Sequence, residues 1–177
     1  MRNRSALRIA GAPYYVVKRT HGGSPCFVTD DDYLVYLDYL DDATARHRCA
    51  IHAYVLLPDH VRLLVTPEAG HRLSPMMREV TGRYVEYVNY VHQQNGDVWE
   101  RGFESTPIDG ERHLLACHHA IEWAPVRACL VADPADYRWS SRGHHRRDAA
   151  DTVTRDAVPL RAIAPRLAPL EIFAAAA

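Results

Sequence analysis

The segment AIHAYVLLPDHVRLLVT, residues 50–66, decides the fold of this chain. Two strand-like apolar runs, 50–57 and 61–66, are separated by Pro58-Asp59-His60, and this order predicts an antiparallel β-hairpin. Successive side chains of a strand point to opposite faces, so His60 and Arg62 project side by side from one face while aliphatic residues occupy the other. The hairpin therefore presents two adjacent polar side chains.

Patterns on both sides of the hairpin predict further strands and helices. Tyr14–Arg19 is an aromatic and β-branched run typical of a first strand, and Thr29 followed by three aspartates predicts an N-cap and a helix of about four turns. Ser74 and Pro75 mark the start of a second helix that runs to about Asn95-Gly96. The remaining expected elements are a strand at 104–108 and a helix, capped by Asp109, from Glu111 to about Trp123.

This order of elements predicts an α+β fold, a ferredoxin-like sandwich in which helices cover one face of an antiparallel sheet. The 177 residues are about the length of one domain, and a composition of 47% hydrophobic and 24% charged residues excludes a disordered chain. Periodicity is lost near the C-terminal end, where Ala, Asp and Pro accumulate. We therefore expect a single domain at 1–147 and a loosely packed tail at 148–177.

The net charge of −1 gives no global sign of a nucleic-acid-binding protein. The cations are nevertheless 20 arginines and one lysine, Lys18. Arginine offers a planar fork of donors that suits phosphates and base edges, so clustered arginines would favour DNA contacts. A GC-rich genome, which encodes Arg freely, is the alternative explanation for this excess.

The four cysteines, Cys26, Cys49, Cys117 and Cys129, contain no CxxC pair and match neither a zinc ribbon nor a dense disulfide framework. The first residues lack the apolar run of a signal peptide, and no segment approaches the roughly 18 apolar residues that span a membrane. We expect a cytoplasmic protein with reduced thiols and no membrane partner.

Several further sequence blocks, together with the hairpin, carry a family resemblance. They are GRYVEYVN at 82–89, VWERGF at 98–103, LLAC at 114–117, PVRA at 125–128 and ADPADYRWSS at 132–141. In this order, over roughly residues 10–145, they resemble the HUH-type REP-associated tyrosine transposases, a family of insertion-sequence transposase-like proteins. The resemblance rests on several ordered blocks and not on any single one.

The resemblance implies a bacterial DNA transposition enzyme that nicks and joins single-stranded DNA at short foldback hairpins. In such enzymes a His-hydrophobic-His pair on a central strand and a polar side chain on a helix hold a divalent ion, which polarises the scissile phosphate. A tyrosine on that helix attacks the phosphate and forms a 5′-phosphotyrosine link. Strand positions i and i+2 and helix positions i and i+4 each share a face, as this chemistry requires.

The chain departs from this pattern at three positions. His60 occupies the first histidine position, but Arg62 stands at the second, Ala120 at the nucleophilic tyrosine and Ala124 at the helix ligand, an asparagine in the family. No catalytic residue is therefore intact, and His60 is the sole retained metal ligand. A fixed guanidinium repels a dication, although it can still hold a phosphate. We expect Mg or Mn as the cofactor if the protein is active and otherwise none.

Three hypotheses about function remain open at this point. The first is a transposase-family protein that binds single-stranded or hairpin DNA but is catalytically impaired. The second is a working transposase with a shifted nucleophile, for which Tyr84 is the substitute, although a packing role for Tyr84 is favoured. The third is a structural or interaction protein that does not bind DNA.

Arginines mixed with aromatic side chains indicate where DNA binds, because this combination stacks on and clamps unpaired bases. A basic cluster at 137–147 and the N-terminal Arg2, Arg4 and Arg8 supply further cations, with a solvated tail as the alternative for the cluster. Trp99 fits a position in the core equally well. The predicted DNA-binding residues are Arg62, Arg83, Trp99, Arg101, Arg127, Arg138 and Arg142.

Overall fold

The computed structural model describes residues 11–142. The predicted tail at 148–177 and the predicted domain boundary at residue 147 lie outside the described residues. The same holds for the three N-terminal arginines and for the part of the basic cluster that begins at residue 143.

The described residues form a four-stranded antiparallel sheet with helices packed on one side. In chain order the elements are β1 (Tyr14–Arg19), α1 (Asp30–His47), β2 (Cys49–Leu57), β3 (His60–Pro67), α2 (Leu73–Val91), β4 (Glu104–Pro107), α3 (Glu111–Glu122) and α4 (Ala124–Arg127). The strand order is β2-β3-β1-β4, with α1 joining β1 to β2 and α2 joining β3 to β4. This split βαβ arrangement confirms the predicted α+β, ferredoxin-like class.

The helix α1 begins at the predicted N-cap, Thr29, which forms a capping box with Asp32. The Thr29 side chain accepts a hydrogen bond from the Asp32 backbone N–H, and the Asp32 carboxylate accepts one from the Thr29 N–H at 2.8 Å. Two further aspartates in the first turn interact favourably with the positive end of the helix dipole. Local chemistry therefore sets where α1 begins in the chain.

The boundaries of α2 differ from those expected. Its N-cap is Arg72 and not Ser74, because the 3-10 turn Gly70–Arg72 runs directly into the helix. The helix ends at Val91, earlier than the predicted end, since the chain turns away where Gln93 adopts a left-handed φ of 52°. Tertiary context therefore overrides the local start and stop signals.

The start of α3 also corrects a predicted cap. The N-cap is Gly110, with a φ of 88°, and no side chain caps the helix. Asp109 instead accepts a hydrogen bond from His113 at 2.7 Å. The expected extent of the helix is otherwise confirmed, with its end immediately before Trp123.

The hairpin forms with a tight turn at Pro58 and Asp59, so that Leu57 pairs with His60. On the other side β3 pairs with β1, and Arg62 lies opposite Val17. The strand that carries His60 and Arg62 is thus central in the sheet, with β2 on one side and β1 on the other.

An aromatic cluster joins α1 and α2 to the rest of the core. The Trp99 ring lies with its centroid 6.0 Å from that of Tyr36 in α1 and 5.8 Å from that of Tyr84 in α2. Phe27 contacts all three rings. Residues 11–142 include no helix with the length and apolarity that a membrane crossing requires.

Candidate functional site

Four side chains form a hydrogen-bonded chain across β3 and β1. The Asp59 carboxylate accepts from His60 Nδ1 at 2.7 Å, and Arg62 Nε donates to His60 Nε2 at 3.0 Å. The Nη1 group of Arg62 donates to the Tyr15 hydroxyl at 3.3 Å. Arg62 is therefore held between an imidazole and a phenol.

These contacts fix the protonation state of His60. An arginine nitrogen can only donate, so His60 Nε2 must be the acceptor, and the ring proton is on Nδ1, where it bonds to Asp59. Burial lowers the pKa of His60, with a further lowering from Arg62 and Arg19 that opposes the effect of Asp59. The imidazole is therefore neutral, and its lone pair faces Arg62.

The strand register explains why Tyr15 meets Arg62. Val17 lies directly opposite Arg62, and Tyr15 is two residues along the same strand, on the same face. Diagonal neighbours of this kind are within reach of long side chains. Sequence reasoning missed Tyr15, because alternation within β1 gives its face but not its partner on β3.

A divalent metal, which the family resemblance implies here, does not fit the residues present. The His60 nitrogen that would coordinate it accepts a hydrogen bond from Arg62, whose fixed positive charge repels a dication. Between residues 11 and 142, no three His, Cys, Asp or Glu side chains are grouped closely enough to hold a metal ion. The site presents the N–H donors of a guanidinium, and it lacks the set of acceptor ligands that a metal ion needs.

The two alanines at the family's helix positions lie at the end of α3 and the start of α4. Ala120 is half-buried within α3, and Ala124 is buried at the first position of α4. The backbone bends between them at Trp123, which precedes Pro125. A methyl group neither attacks phosphorus nor coordinates a cation, so these positions supply no chemistry of their own.

Tyr84 and Trp99 are core residues in the structure. The Tyr84 side chain is fully buried, its hydroxyl donates to the Cys26 carbonyl at 2.7 Å, and burial raises its pKa. This placement agrees with the packing role and keeps the phenol away from solvent. Trp99 is 1% exposed, so the prediction that it stacks on DNA bases is corrected to a core anchor.

Three of the predicted DNA-binding arginines are paired with acids near the surface. The pairs are Arg83 with Asp42 at 3.0 Å, Arg142 with Glu122 at 3.3 Å, and Arg138 with Asp30. Surface pairs of this type contribute at most about 1 kcal/mol. The acids reduce the local positive potential, yet a phosphate can compete for the arginines at low cost.

Arg101 and Arg127 are exposed, and within the described part of the chain neither forms an ion pair. The main chain on both sides of Arg101 is held by Lys18. The Lys18 ammonium donates to the main-chain carbonyls of Glu100 at 2.6 Å and Gly102 at 2.7 Å, one on each side of Arg101. Lys18 is itself buried, at 6% exposure, so it fixes the loop from beneath.

Comparison with known proteins identifies the family. The sequence model described as "Transposase IS200 like" matches residues 13–121, more than half of the chain. No curated protein sequence matches the chain significantly.

Two solved structures are similar to this one. A REP-associated tyrosine transposase bound to a REP hairpin has a TM-score of 0.71 at 17% identity, with 97% of this chain and 96% of that chain covered. A protein of Deinococcus radiodurans R1 assigned as a transposase has a TM-score of 0.46 at 15% identity, with 67% and 94% covered. The first match supports the fold, and the sequence match extends over most of that fold. The chain therefore belongs to the IS200-like transposase family.

Proposed function

We propose that this protein binds single-stranded or hairpin DNA through the transposase fold and is impaired in strand cleavage. The observation that carries the proposal is the hydrogen bond from Arg62 Nε to His60 Nε2 at 3.0 Å. It occupies the retained ligand nitrogen with a donor and places a positive charge where the family resemblance implies a metal. The change preserves attraction for phosphate while removing the Lewis acid that activates it.

The loss at the nucleophile position supports the same conclusion. Ala120 stands where the resemblance implies the attacking tyrosine, and Ala124 stands at the helix ligand. Phosphoryl transfer to the protein needs a nucleophilic oxygen in line with the leaving group. The family's fold is kept although the three catalytic positions are changed. This combination favours a role in binding over a role in cleavage.

The proposed DNA surface is led by the arginines with the most freedom to contact phosphates. Arg101 and Arg127 are exposed, and Arg62 is half-buried with part of its guanidinium available. Arg83, Arg138 and Arg142 are secondary because each first exchanges an acidic partner for a phosphate. Trp99 is excluded from the surface by its burial.

A salt titration tests binding. A fluorescently labelled DNA hairpin with a single-stranded 5′ flank is expected to bind at low salt, with an affinity that falls linearly on logarithmic axes as salt rises. A duplex of the same stem without the flank serves as the control and should bind more weakly. Absence of hairpin binding at low salt would reject the DNA-binding role and favour a structural or interaction protein.

A cleavage assay tests catalytic impairment. The labelled hairpin is incubated with the protein and Mg or Mn, and denaturing gels report both cut strands and covalent protein–DNA adducts. We expect neither product. An adduct would establish a working transposase with a shifted nucleophile, and peptide mapping would locate it; the Tyr15→Phe and Tyr84→Phe variants separate the phenol beside Arg62 from the buried one.

A further inference from the structure

We propose that Arg62, held by His60 and Tyr15, forms a metal-independent binding site for one DNA phosphate at the position of the family's metal centre. We call these three residues the Arg62 phosphate site. The proposal rests on the proposed DNA-binding function and adds to it the ligand group, the residue Tyr15 and independence from divalent ions.

The guanidinium of Arg62 is oriented before any ligand arrives. It donates to His60 through Nε at 3.0 Å and to the Tyr15 hydroxyl through Nη1 at 3.3 Å. Arginine has five N–H donors in a rigid plane, so these two contacts leave three donors for a ligand. A planar donor set of this kind matches the oxygens of a phosphodiester, and its orientation reduces the entropy lost on binding.

A second arginine lies on the same face of the sheet as the site. Arg19 pairs with His60 across the strands and lies on the same face as Arg62. Its partner Glu104 is 3.4 Å away, and both side chains are well exposed, so that ion pair is weak. Asp59 already accepts a hydrogen bond from the opposite nitrogen of His60. The imidazole lies between Asp59 and Arg62, so the carboxylate does not contact the guanidinium directly.

A guanidinium and a divalent ion differ in what they do to the phosphate. Both stabilise its negative charge, but arginine is covalently attached and cannot be removed by a chelator. It also offers no open coordination position for a leaving oxygen. The site therefore explains how one substitution can retain phosphate binding and remove strand cleavage together.

The first experiment compares two arginine variants in excess EDTA. Hairpin affinity and its salt dependence are measured for the wild type, Arg62→Ala and Arg46→Ala. Arg46 is an exposed residue of α1 paired with Glu79, so its loss removes the same charge from another surface. We expect Arg62→Ala to bind about tenfold more weakly, with a salt slope lower by about one, and Arg46→Ala to lose less than about twofold.

Two conservative variants test the geometry. Arg62→Lys keeps the charge but cannot contact His60 and Tyr15 with one planar group, and we expect affinity between those of the wild type and Arg62→Ala. Tyr15→Phe keeps the ring and loses the acceptor, and we expect binding about threefold weaker than the wild type. Circular dichroism and thermal unfolding verify that each variant is folded.

A direct readout uses dimethyl phosphate as the probe. The Nε–H resonance of Arg62, assigned from its absence in Arg62→Lys, should shift on titration in EDTA and should not shift in the same way with sodium chloride. An unchanged resonance, or equal DNA affinities for Arg62→Ala and Arg46→Ala, would overturn the Arg62 phosphate site.

The outcomes separate this site from the wider function. If the wild type binds hairpin DNA and Arg62→Ala matches Arg46→Ala, the DNA-binding function stands and the Arg62 phosphate site is rejected. If the wild type binds no DNA but the Arg62 resonance responds to dimethyl phosphate, the site stands as an anion site and the DNA-binding function is rejected. Loss of wild-type binding in EDTA would reject metal independence.

Discussion

Lys18 and Arg62 are cations on the neighbouring central strands β1 and β3, and their environments are opposite. Arg62 is paired with Val17, so Lys18, the next residue, points to the other face of the sheet. Lys18 is 6% exposed, and its ammonium donates to two main-chain carbonyls. Arg62 is half-buried and keeps three donors in addition to its contacts with His60 and Tyr15. The position of the remaining donors, and not the charge, separates a structural cation from one that can hold a ligand.

The largest effect is expected when the site around Arg62 is converted to a metal site with a nucleophile. The triple variant Arg62→His, Ala120→Tyr and Ala124→Asn restores the ligand and nucleophile types that the family resemblance implies. We expect Mn-dependent adducts with hairpin DNA, where the wild type gives none, because both the Lewis acid and the attacking oxygen are supplied. Adducts are measured on denaturing gels with labelled DNA.

The matched control for the triple variant is Arg62→His with Ala124→Asn, which lacks the nucleophile and should form no adduct. Because Ala124 is buried, the folding of both variants is checked by thermal unfolding. A folded triple variant that binds Mn and leaves DNA unmodified would show that the three positions are wrongly placed.

Replacing Lys18 should lower the stability of the protein more than replacing Arg62. Lys18→Met keeps the length and apolar stem of the side chain but leaves the carbonyls of Glu100 and Gly102 without their donor. We expect the free energy of unfolding to fall by about 2–3 kcal/mol, whereas Arg62→Met should cost less than about 1 kcal/mol, since water replaces its contacts. Urea denaturation measures both, and equal losses would contradict the comparison.

Lys18 should also affect DNA binding, because it fixes the loop that carries Arg101. We expect Arg101→Ala to weaken hairpin binding about fivefold, as for loss of one phosphate contact. In the Lys18→Met background the same substitution should cost less than about twofold, because the loop no longer presents Arg101 in one place. Fluorescence anisotropy on the four proteins gives the coupling, and additive effects would mean that Lys18 does not position Arg101.

The smallest effect follows from titration. Burial lowers the pKa of Lys18 below its ordinary value of 10.5. Between its folded and unfolded pKa values Lys18 binds more protons in the unfolded chain, so Lys18 alone contributes a free energy of unfolding that rises with pH. Buried tyrosines, whose pKa burial raises, contribute the opposite trend in every variant. The free energy of unfolding of the wild type minus that of Lys18→Met should therefore rise with pH in this window, whereas the difference between the wild type and Arg62→Met should stay constant. Urea denaturation at increasing pH checks the difference, which isolates Lys18 from other titrating groups.

Much of the fold follows from local sequence signals. The bounds of β1, the N-cap of α1 and the hairpin turn are set by residues close together in the chain, and the structure confirms them. The start of α2 is different, because a preceding 3-10 turn displaces the expected cap at Ser74. Local chemistry is decisive where no neighbouring element competes for the same residues.

Only part of the site can be predicted from the sequence. The adjacency of His60 and Arg62 follows from the two-residue period of a strand, and their hydrogen bond agrees with it. Tyr15 depends on the register between β1 and β3, which no short motif specifies. The burial of Trp99 is likewise set by how α1 and α2 pack around it, so composition alone leaves it open between core and surface.

The burial of Lys18 has a practical consequence for chemical labelling. It is the one lysine in the chain, so the α-amino group is the other site for amine-directed acylation. With its ammonium enclosed and bonded to two carbonyls, Lys18 should resist succinimidyl esters while the native loop is closed. Mass spectrometry would then show acylation of Lys18 only after the loop opens, giving a reporter of local unfolding.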